Sequence, residues 1–189
     1  SRDFESRGAT FDVALASDRL VPFWPGWSLA YLTIAPLLLV TALILRTQLR
    51  SLPFLGALLF QLGVAGLCFF IWPVAPPQPP TVAMNPAVAW LFALADGMNL
   101  EGNCLPSLHV ALALSCGWAA QGALRWPARI AMAAWALAIT ASTLLTWQHW
   151  LVDVVAGAVV AGIGMGLVRP FLAATLARAE AQIIGPPAG

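Results

Sequence analysis

Apolar residues in this chain are gathered into five long runs, with a proline-rich loop from Pro73 to Asn103 between the second and third and short connections between the others. Each run is close to the ~20 residues that an α-helix needs to cross the hydrocarbon core of a bilayer. The pattern therefore predicts five membrane helices, at roughly 28–46, 53–72, 106–122, 128–146 and 149–168.

Smaller features interrupt or connect these runs. Pro36 lies inside the first run and predicts a kink, because proline cannot complete the helical hydrogen-bond pattern. Residues 86–95 are apolar enough for a short re-entrant or surface helix. Residues 1–20 mix charged and apolar side chains, which fits either a short amphipathic helix on the membrane surface or a loop. Almost nothing separates the last two runs, so we expect a tight helical hairpin with His149 at its tip.

Composition agrees with a membrane protein. Hydrophobic residues make up 60% of the 189 residues and charged residues only 9%, whereas soluble domains carry about a quarter charged residues. The formal net charge is +1 and no block of basic residues is present, so nothing indicates a nucleic-acid partner. We expect an all-α fold, a polytopic membrane helical bundle.

Arginine placement predicts the orientation of this bundle, because loops rich in basic residues face the cytoplasm. If the five runs alternate in direction, six arginines fall on one side, which we expect to be cytoplasmic. Both histidines then face the opposite side. On that side, we expect Arg19 to be the mobile cation that can reach a bound phosphate. We expect an integral protein of the bacterial inner (plasma) membrane with its site facing the periplasm or outside. The six arginines are Arg46, Arg50, Arg125, Arg129, Arg169 and Arg178.

The same pattern divides the chain into three parts. Residues 1–27 form an extracytoplasmic or interfacial N-terminal segment, whose end is rich in proline and tryptophan. Residues 28–170 form a membrane-embedded catalytic domain, and 171–189 a cytoplasmic tail.

The stretch 103–109 joins a polar loop to the third run and carries His109, one of two histidines. Pro106 suits the first position of that helix, where its missing N–H costs nothing, and Asn103 can serve as the cap. His109 would then lie in the first turn. Alone it would more often be a core residue, but with His149 at the same membrane level it offers a second proton-transfer group.

His149 opens the fifth run, and Asp153 follows four residues later. On a helix this spacing puts both side chains on one face. The carboxylate can then accept a hydrogen bond from one imidazole nitrogen and leave the other free to attack. A polar pair that seals a helix end is the alternative, but ionisable groups at membrane depth are expensive, which favours function.

Both histidines are expected at helix N-termini, where free N–H groups and the helix dipole bind anions. With the hydroxyl of Ser107 and the amide of Asn103, two such ends would suit a phosphate. The sequence shows no metal-ligand cluster, and these roles require no metal or other cofactor. Cys104 lies nearby, but we expect it to pack as a small buried residue.

At these residues the chain resembles the type-2 phosphatidic acid phosphatase superfamily, which includes lipid phosphatases, lipid phosphotransferases and soluble haloperoxidases. Residues 106–109, Pro-Ser-Leu-His, are similar to the family motif Pro-Ser-Gly-His. Residues 142–153 are similar to the family motif of Ser-Arg, five further residues and His-x-x-x-Asp.

The resemblance implies a role for each residue. His149 would be the nucleophile that forms a phosphohistidine, Asp153 its orienting partner and His109 the general acid for the leaving alcohol. Ser107 would bind a phosphate oxygen. The family usually has six membrane helices, which implies a further helix before residue 1.

The chain also departs from the family pattern. Leu108 stands where the family has glycine, and Thr143 where it has the arginine that grips phosphate, so Thr143 is a candidate substrate-binding residue. The family's Lys-x6-Arg-Pro motif has no match, and lysine is absent altogether. Pro-Ser-Leu-His without the arginine is similar to the branch containing inositol phosphorylceramide synthases, which moves a phosphorylated headgroup between lipids.

These residues predict a membrane enzyme that cleaves or transfers a lipid phosphoester at the extracytoplasmic face, with a lipid phosphate and membrane lipid as partners. Water as acceptor gives a phosphatase and a hydroxyl compound gives a transferase, and the motifs do not separate the two. The alternative is a catalytically degenerate binding or scaffold protein, which the loss of basic ligands supports. Retention of His109, His149 and Asp153 argues against it. A transporter lacks support, because the charged residues line no continuous path.

Overall fold

The computed structural model describes residues 11–99 and 102–184, and these are almost entirely helical. Within them, 3-10 turns at Ala16–Leu20 and Pro25–Trp27 precede the first α-helix, and a π-helical turn at Gly164–Val168 joins the last two. The fold is therefore an all-α bundle, as the apolar runs predict. In chain order the α-helices are α1 (Ser28–Leu32), α2 (Ile34–Ile44), α3 (Gln48–Ile71), α4 (Pro86–Gly97), α5 (Leu108–Ala120), α6 (Trp126–Leu145), α7 (Leu151–Ile163) and α8 (Arg169–Ile184).

Among the described residues, four helical stretches are long and apolar enough to cross a membrane. Many of their large apolar side chains are exposed, as expected of helices that face lipid. The predicted run at 106–122 instead forms α5, of 13 residues, which rises only about 20 Å. A fifth full-length span is therefore not confirmed. The four stretches are Pro25–Ile44, Arg50–Ile71, Trp126–Leu145 and Leu151–Gln182.

α5 occupies the centre of the bundle and makes its most extensive contacts with α6 and α7. Small residues allow the close approach: a Cβ on Gly117 would meet Ala136 of α6 at 3.1 Å. The turn at 146–150 that joins α6 to α7 is short, as predicted. The two helices nevertheless make few contacts with each other, because α5 packs against both, so the tight hairpin is not formed.

The first apolar run is interrupted where Pro36 predicts it. α1 ends at Leu32 and α2 begins at Ile34, with Thr33 between them. Pro36 has no N–H to donate to the carbonyl four residues earlier, which is that of Leu32, and its ring crowds that carbonyl. The break therefore falls one turn before the proline.

Loops close one end of the bundle. The N–H of Phe11 donates to the Pro73 carbonyl at 2.9 Å, and the N–H of Cys104 donates to the Val74 carbonyl at 3.4 Å. Residues 11–15 are not helical, and Ala16–Leu20 forms a single 3-10 turn, so the described part of 1–20 is closer to the predicted loop than to a surface helix. Residues 1–10 lie outside the described residues. α4 forms where 86–95 predicts a short helix.

Several arginines of the predicted cytoplasmic set lie at the other end of the bundle. Arg50 and Arg169 line one cavity there, and Arg46 lines another beside Leu124 in the connection from α5 to α6. His109 lies at the beginning of α5 and this connection follows its end, so Arg46, Arg50 and Arg169 lie at the end of the bundle opposite the histidines. The cytoplasmic assignment of the arginine end and the three predicted domain limits stay predictions.

Candidate active site

His149 lies in the turn 146–150, called here the His149 turn. The N–H groups of Gln148 and His149 both donate to the Thr143 carbonyl, at 3.0 and 3.1 Å. Trp147 has a φ of 54°, in the left-handed region that residues other than glycine rarely adopt. These features reverse the chain tightly and fix the backbone that carries His149.

The Nδ1 atom of His149 faces two acceptors. The carbonyl oxygen of Cys104 lies 3.1 Å from Nδ1, and Oδ2 of Asp153 lies 3.5 Å from it. A carbonyl can only accept, so this hydrogen bond requires a proton on Nδ1 and leaves the lone pair of the neutral ring on Nε2. His149 is therefore held in the tautomer that a nucleophilic imidazole needs. The closer of the two acceptors is a backbone group that the sequence did not reveal.

Asp153 is completely buried at the beginning of α7. Its Oδ2 accepts the N–H of Trp150 at 2.8 Å, and its Oδ1 has no hydrogen-bond partner among the described residues. Because Trp150 is extended and α7 begins at Leu151, His149 precedes the helix. The prediction that His149 and Asp153 share a helical face is therefore wrong. The turn brings the two side chains together instead.

His109 is the second residue of α5, and its ring stacks on Tyr31 of α1. The two ring centroids are 3.9 Å apart and the planes differ by 22°. The Nε2 atom of His109 is buried and lacks a hydrogen-bond partner among the described residues. Stacking therefore holds this ring and leaves the nitrogen available. The centroids of His109 and His149 are 6.4 Å apart, so one phosphoryl group can lie between the rings.

A chain of hydrogen bonds connects the stacked pair to the His149 turn. The Tyr31 hydroxyl donates to Oδ1 of Asn99 at 2.8 Å, and the Asn99 amide donates to Oε1 of Gln148. Gln148 is buried and immediately precedes His149. Sequence reasoning missed all three residues, because they are far apart in the chain and form no motif. The only signal was the presence of polar side chains beside apolar runs.

The beginning of α5 differs from the prediction. Oγ of Ser107 accepts the N–H of Val110 at 3.4 Å, which makes Ser107 the cap and Leu108 the first helical residue. Pro106 precedes this cap, through a cis peptide bond from Leu105, so it does not open the helix. The predicted capping role of Asn103 is wrong for the same reason. A serine oxygen reaches the N–H three residues later, whereas Asn103 lies too far upstream.

The predicted substrate-binding residues occupy different positions. Asn103 lines a cavity together with both histidines. Ser107 is completely buried. Thr143 is also completely buried, and its hydroxyl donates to the Thr140 carbonyl at 2.7 Å, as helical threonines often do. The Thr143 hydroxyl is thus engaged within α6, and the carbonyl of this residue supports the His149 turn. A substrate-binding role for Thr143 stays a prediction.

Two cavities meet at His149, which lines both. The first lies against the strap segment, defined as residues 14–21, and has a volume of about 290 Å³; we call it the strap cavity. The second has a volume of about 260 Å³ and contains His109; we call it the bundle cavity. Polar and aromatic residues of the strap cavity include Asp18, Arg19, Gln78, Trp147 and Trp150. Apolar residues of the bundle cavity include Ile34, Leu38, Phe69, Leu108 and Leu112.

The N-terminal end of α7 is already occupied by carboxylates. Oδ1 of Asp18 accepts the Leu151 N–H at 2.9 Å, beside the bond from Trp150 to Asp153. These two bonds take N–H groups that a phosphate could otherwise use, and binding of phosphate at this helix end stays a prediction. Asp18 is a further residue that sequence reasoning missed, because it lies 133 positions before Leu151 and belongs to no motif.

Three side chains near the histidine could in principle hold a metal. Within the described part of the chain, ligand atoms of Cys104, His149 and Asp153 lie within 4.8 Å of one another. However, burial and then the nearby Asp153 carboxylate raise the pKa of the Cys104 thiol, whereas a metal ligand is a thiolate. Nδ1 of His149 and Oδ2 of Asp153 are engaged in hydrogen bonds, so only Nε2 of His149 and Oδ1 of Asp153 remain as donors on these two side chains. The donors fit a resident metal poorly, and a metal-free site stays our prediction.

Comparison with known proteins gives one match. A family model described as the PAP2 superfamily matches residues 11–167, a range that includes both histidines, Asp153 and the strap segment. No curated protein and no solved structure matches the chain.

Proposed function

The chain belongs to the PAP2 superfamily, and from this premise we propose that it is a membrane enzyme that cleaves or transfers a lipid phosphoester through a phosphohistidine. Superfamily members are generally phosphatases or phosphotransferases. One observation carries the proposal. The Cys104 carbonyl holds Nδ1 of His149 at 3.1 Å, which leaves Nε2 as the nucleophilic nitrogen. We propose the extracytoplasmic face for the site, because Arg46, Arg50 and Arg169 lie at the other end of the bundle.

In the first step, Nε2 of His149 attacks phosphorus and the bond from phosphorus to the leaving oxygen breaks. His109, protonated before the step, gives its proton to that oxygen as the alcohol departs. The proton on Nδ1 stays between the ring and the Cys104 carbonyl. The Asp153 carboxylate, 3.5 Å from Nδ1, stabilises the positive charge that develops on the ring.

In the second step, an acceptor hydroxyl attacks the phosphohistidine, the N–P bond breaks and His109 takes the acceptor's proton. Displacement at phosphorus is in line, so the acceptor enters where the leaving alcohol departed. Both groups therefore belong on the His109 side, in the bundle cavity. Its apolar wall, which includes Leu38, Phe69 and Leu112, suits the alcohol portion of a lipid better than water.

The charges around His149 favour a phosphodiester over a phosphomonoester. The carboxylates of Asp18 and Asp153 both accept N–H groups at the beginning of α7. Thr143 stands where the family has an arginine, so this position supplies no positive charge. Two carboxylates repel a monoester, with nearly two negative charges, more strongly than a diester with one. We therefore propose headgroup transfer or diester cleavage as the principal reaction, and weak inhibition by inorganic phosphate.

The second candidate is a catalytically degenerate binding or scaffold protein. The observation in its favour is the commitment of the Thr143 hydroxyl to the Thr140 carbonyl, which leaves that position without a phosphate ligand. Retention of both histidines around one cavity favours the enzyme.

The test is turnover by purified protein in lipid nanodiscs. Phosphatidic acid and a set of phosphodiester lipids are supplied with and without diacylglycerol as acceptor, and free phosphate and new phospholipid are both measured. We expect diester turnover, and its loss in His149→Ala together with the acid-labile phosphoenzyme. His109→Ala should still form phosphoenzyme from a substrate with a good leaving group, such as a nitrophenyl ester.

Near-normal turnover by His149→Ala would show that the nucleophile is wrong. Efficient hydrolysis of phosphatidic acid without any diester turnover would reject the substrate class. Absence of all turnover in a folded protein that binds phospholipid would favour the scaffold.

A further inference from the structure

The strap segment is attached to the beginning of α7 by one carboxylate. Oδ1 of Asp18 accepts the Leu151 N–H at 2.9 Å, and Oδ2 accepts the Leu15 N–H at 2.6 Å. The same side chain therefore closes the 3-10 turn of the strap segment and caps α7. Each of its oxygens has its own donor, so both acceptors are needed.

Two further contacts fix the strap segment and the residues after it. The Trp147 indole N–H donates to the Val21 carbonyl at 3.3 Å, and the Trp24 N–H donates to the Leu145 carbonyl at 2.7 Å. Both partners belong to the end of α6 or to the His149 turn. The position of the strap segment relative to His149 is therefore determined by three separate hydrogen bonds, on both sides of Arg19.

Arg19 follows Asp18 and lines the strap cavity with His149. It is exposed, and within the described residues its guanidinium makes no hydrogen bond or ion pair. The other polar side chains of that cavity, such as Gln78, carry no positive charge. Arg19 is thus an uncommitted cation in the cavity that the proposed nucleophile also lines, near the negative charges of Asp18 and Asp153.

We propose that Arg19 reaches the phosphodiester anion at His149 from the strap cavity, with Asp18 as the positioning residue that holds the strap segment there. This inference rests on the proposed function. A guanidinium can donate two parallel hydrogen bonds to phosphate oxygens, which makes it suited to a planar or bidentate anion contact. The strap cavity contains His149 but not His109. It therefore takes the polar group that stays bonded to phosphorus, while the leaving alcohol departs on the His109 side.

Arg19→Gln tests the cation, and Arg178→Gln is the matched control, because Arg178 is an exposed arginine of α8 at the other end of the bundle. Binding of dimethyl phosphate is followed by phosphorus NMR, and KM and kcat by diester turnover. Arg19→Gln should weaken binding and raise KM about 10- to 100-fold, as expected for a lost charge-assisted contact. Arg19→Lys should recover part of this loss, and Arg178→Gln should match the wild type.

Asp18→Asn tests the positioning role. The amide puts an oxygen at one of the two positions and an NH2 donor at the other, so the N–H of either Leu15 or Leu151 loses its acceptor. Asp12→Asn is the matched control, since Asp12 lies in the same exposed stretch and, among the described residues, accepts the Ala14 N–H at 2.9 Å and no N–H of α7. We expect KM to rise about tenfold for Asp18→Asn, with kcat reduced less, and no change for Asp12→Asn.

Equal dimethyl phosphate binding by Arg19→Gln and Arg178→Gln would overturn the inference, as would a wild type that does not bind this anion. Equal KM for Asp18→Asn and Asp12→Asn would remove the positioning role. Binding of dimethyl phosphate needs no turnover, so Arg19-dependent binding without catalysis sustains the inference while the proposed function fails. Turnover that depends on His149 but not on Arg19 sustains the function and rejects the inference.

Discussion

The beginnings of α5 and α7 each carry a histidine, and they hold it in different ways. At α7, His149 donates from Nδ1 to the Cys104 carbonyl, and the helix end is capped by Asp153 and Asp18. At α5, the cap is Ser107 of the same segment, and His109 is held by stacking.

The difference separates two chemical tasks. A nucleophilic imidazole must keep its lone pair on one nitrogen, so the other is tied to an acceptor that cannot donate. A general acid must gain and lose a proton, so its nitrogen cannot be committed to a protein partner. Nδ1 of His149 and Nε2 of His109 meet these requirements respectively.

The largest effect on kcat should come from Asp153→Asn, which changes the carboxylate that supports His149 at the beginning of α7. The amide oxygen can still accept the Trp150 N–H, so the helix cap remains, but the charge beside Nδ1 of His149 is lost. We expect kcat to fall roughly 10²–10⁴-fold with little change in thermal stability. Initial rates at saturating diester and thermal unfolding of the same preparation measure the two effects.

Ser107→Ala is the counterpart on the α5 side. It removes the cap of α5 and should lower the free energy of unfolding by about 1 kcal/mol, with a smaller loss of kcat than Asp153→Asn. Equal losses of kcat in the two variants would remove the contrast between the helix ends.

The next effect concerns the contact that holds the two helix ends together. A Cβ on Gly157 of α7 would lie 2.5 Å from the Ser107 carbonyl oxygen and 3.1 Å from Cβ of Val110. Gly157→Ala should therefore push α5 from α7, lower the free energy of unfolding by about 1–3 kcal/mol, and reduce kcat roughly 10- to 100-fold as the histidines separate.

Gly162→Ala is the control on the same helix, because a Cβ there meets nothing within 4 Å. Its unfolding free energy and kcat should equal or slightly exceed those of the wild type, since alanine favours a helix. A Gly157→Ala enzyme with wild-type kcat would mean that close approach of the helices does not set the spacing of the histidines.

A smaller effect should separate stacking from hydrogen bonding at His109. Tyr31→Phe keeps the ring against His109 and removes the hydroxyl that donates to Asn99. We expect a loss of about 0.5–1.5 kcal/mol in unfolding free energy and a decrease in kcat of about fivefold or less. Tyr31→Leu, which also removes the ring, should reduce kcat further. Equal kcat values in the two variants would assign the effect to the hydrogen-bond chain alone.

The smallest effect should follow treatment with a metal chelator. The Cys104 thiol has a raised pKa, and Nδ1 of His149 and Oδ2 of Asp153 are engaged in hydrogen bonds. Diester turnover should therefore be unchanged after incubation with EDTA and gel filtration. Loss of turnover, restored by one added divalent metal, would show instead that these three residues bind a metal.

The sequence alone determined the helices and the residue types of the site. Apolar runs predict the positions of α2, α3, α6 and α7, because a segment in a bilayer must satisfy its backbone internally. Pro36 predicts the break at Thr33 by the same local reasoning. The limits of α5 were less predictable, since the choice between Asn103 and Ser107 as the cap depends on how the preceding loop approaches the helix.

Only the tertiary structure decided how the two histidines are held. The Cys104 carbonyl that orients His149 is chemically the same as every other backbone carbonyl, so its role cannot be predicted from residue type. Asp18 and Tyr31 reach the site from segments far away in the chain. Membrane helices are apolar on most faces, so the hydrophobic pattern does not specify which faces meet. Close packing of small residues along α5 makes that choice, and it brings the two helix ends together.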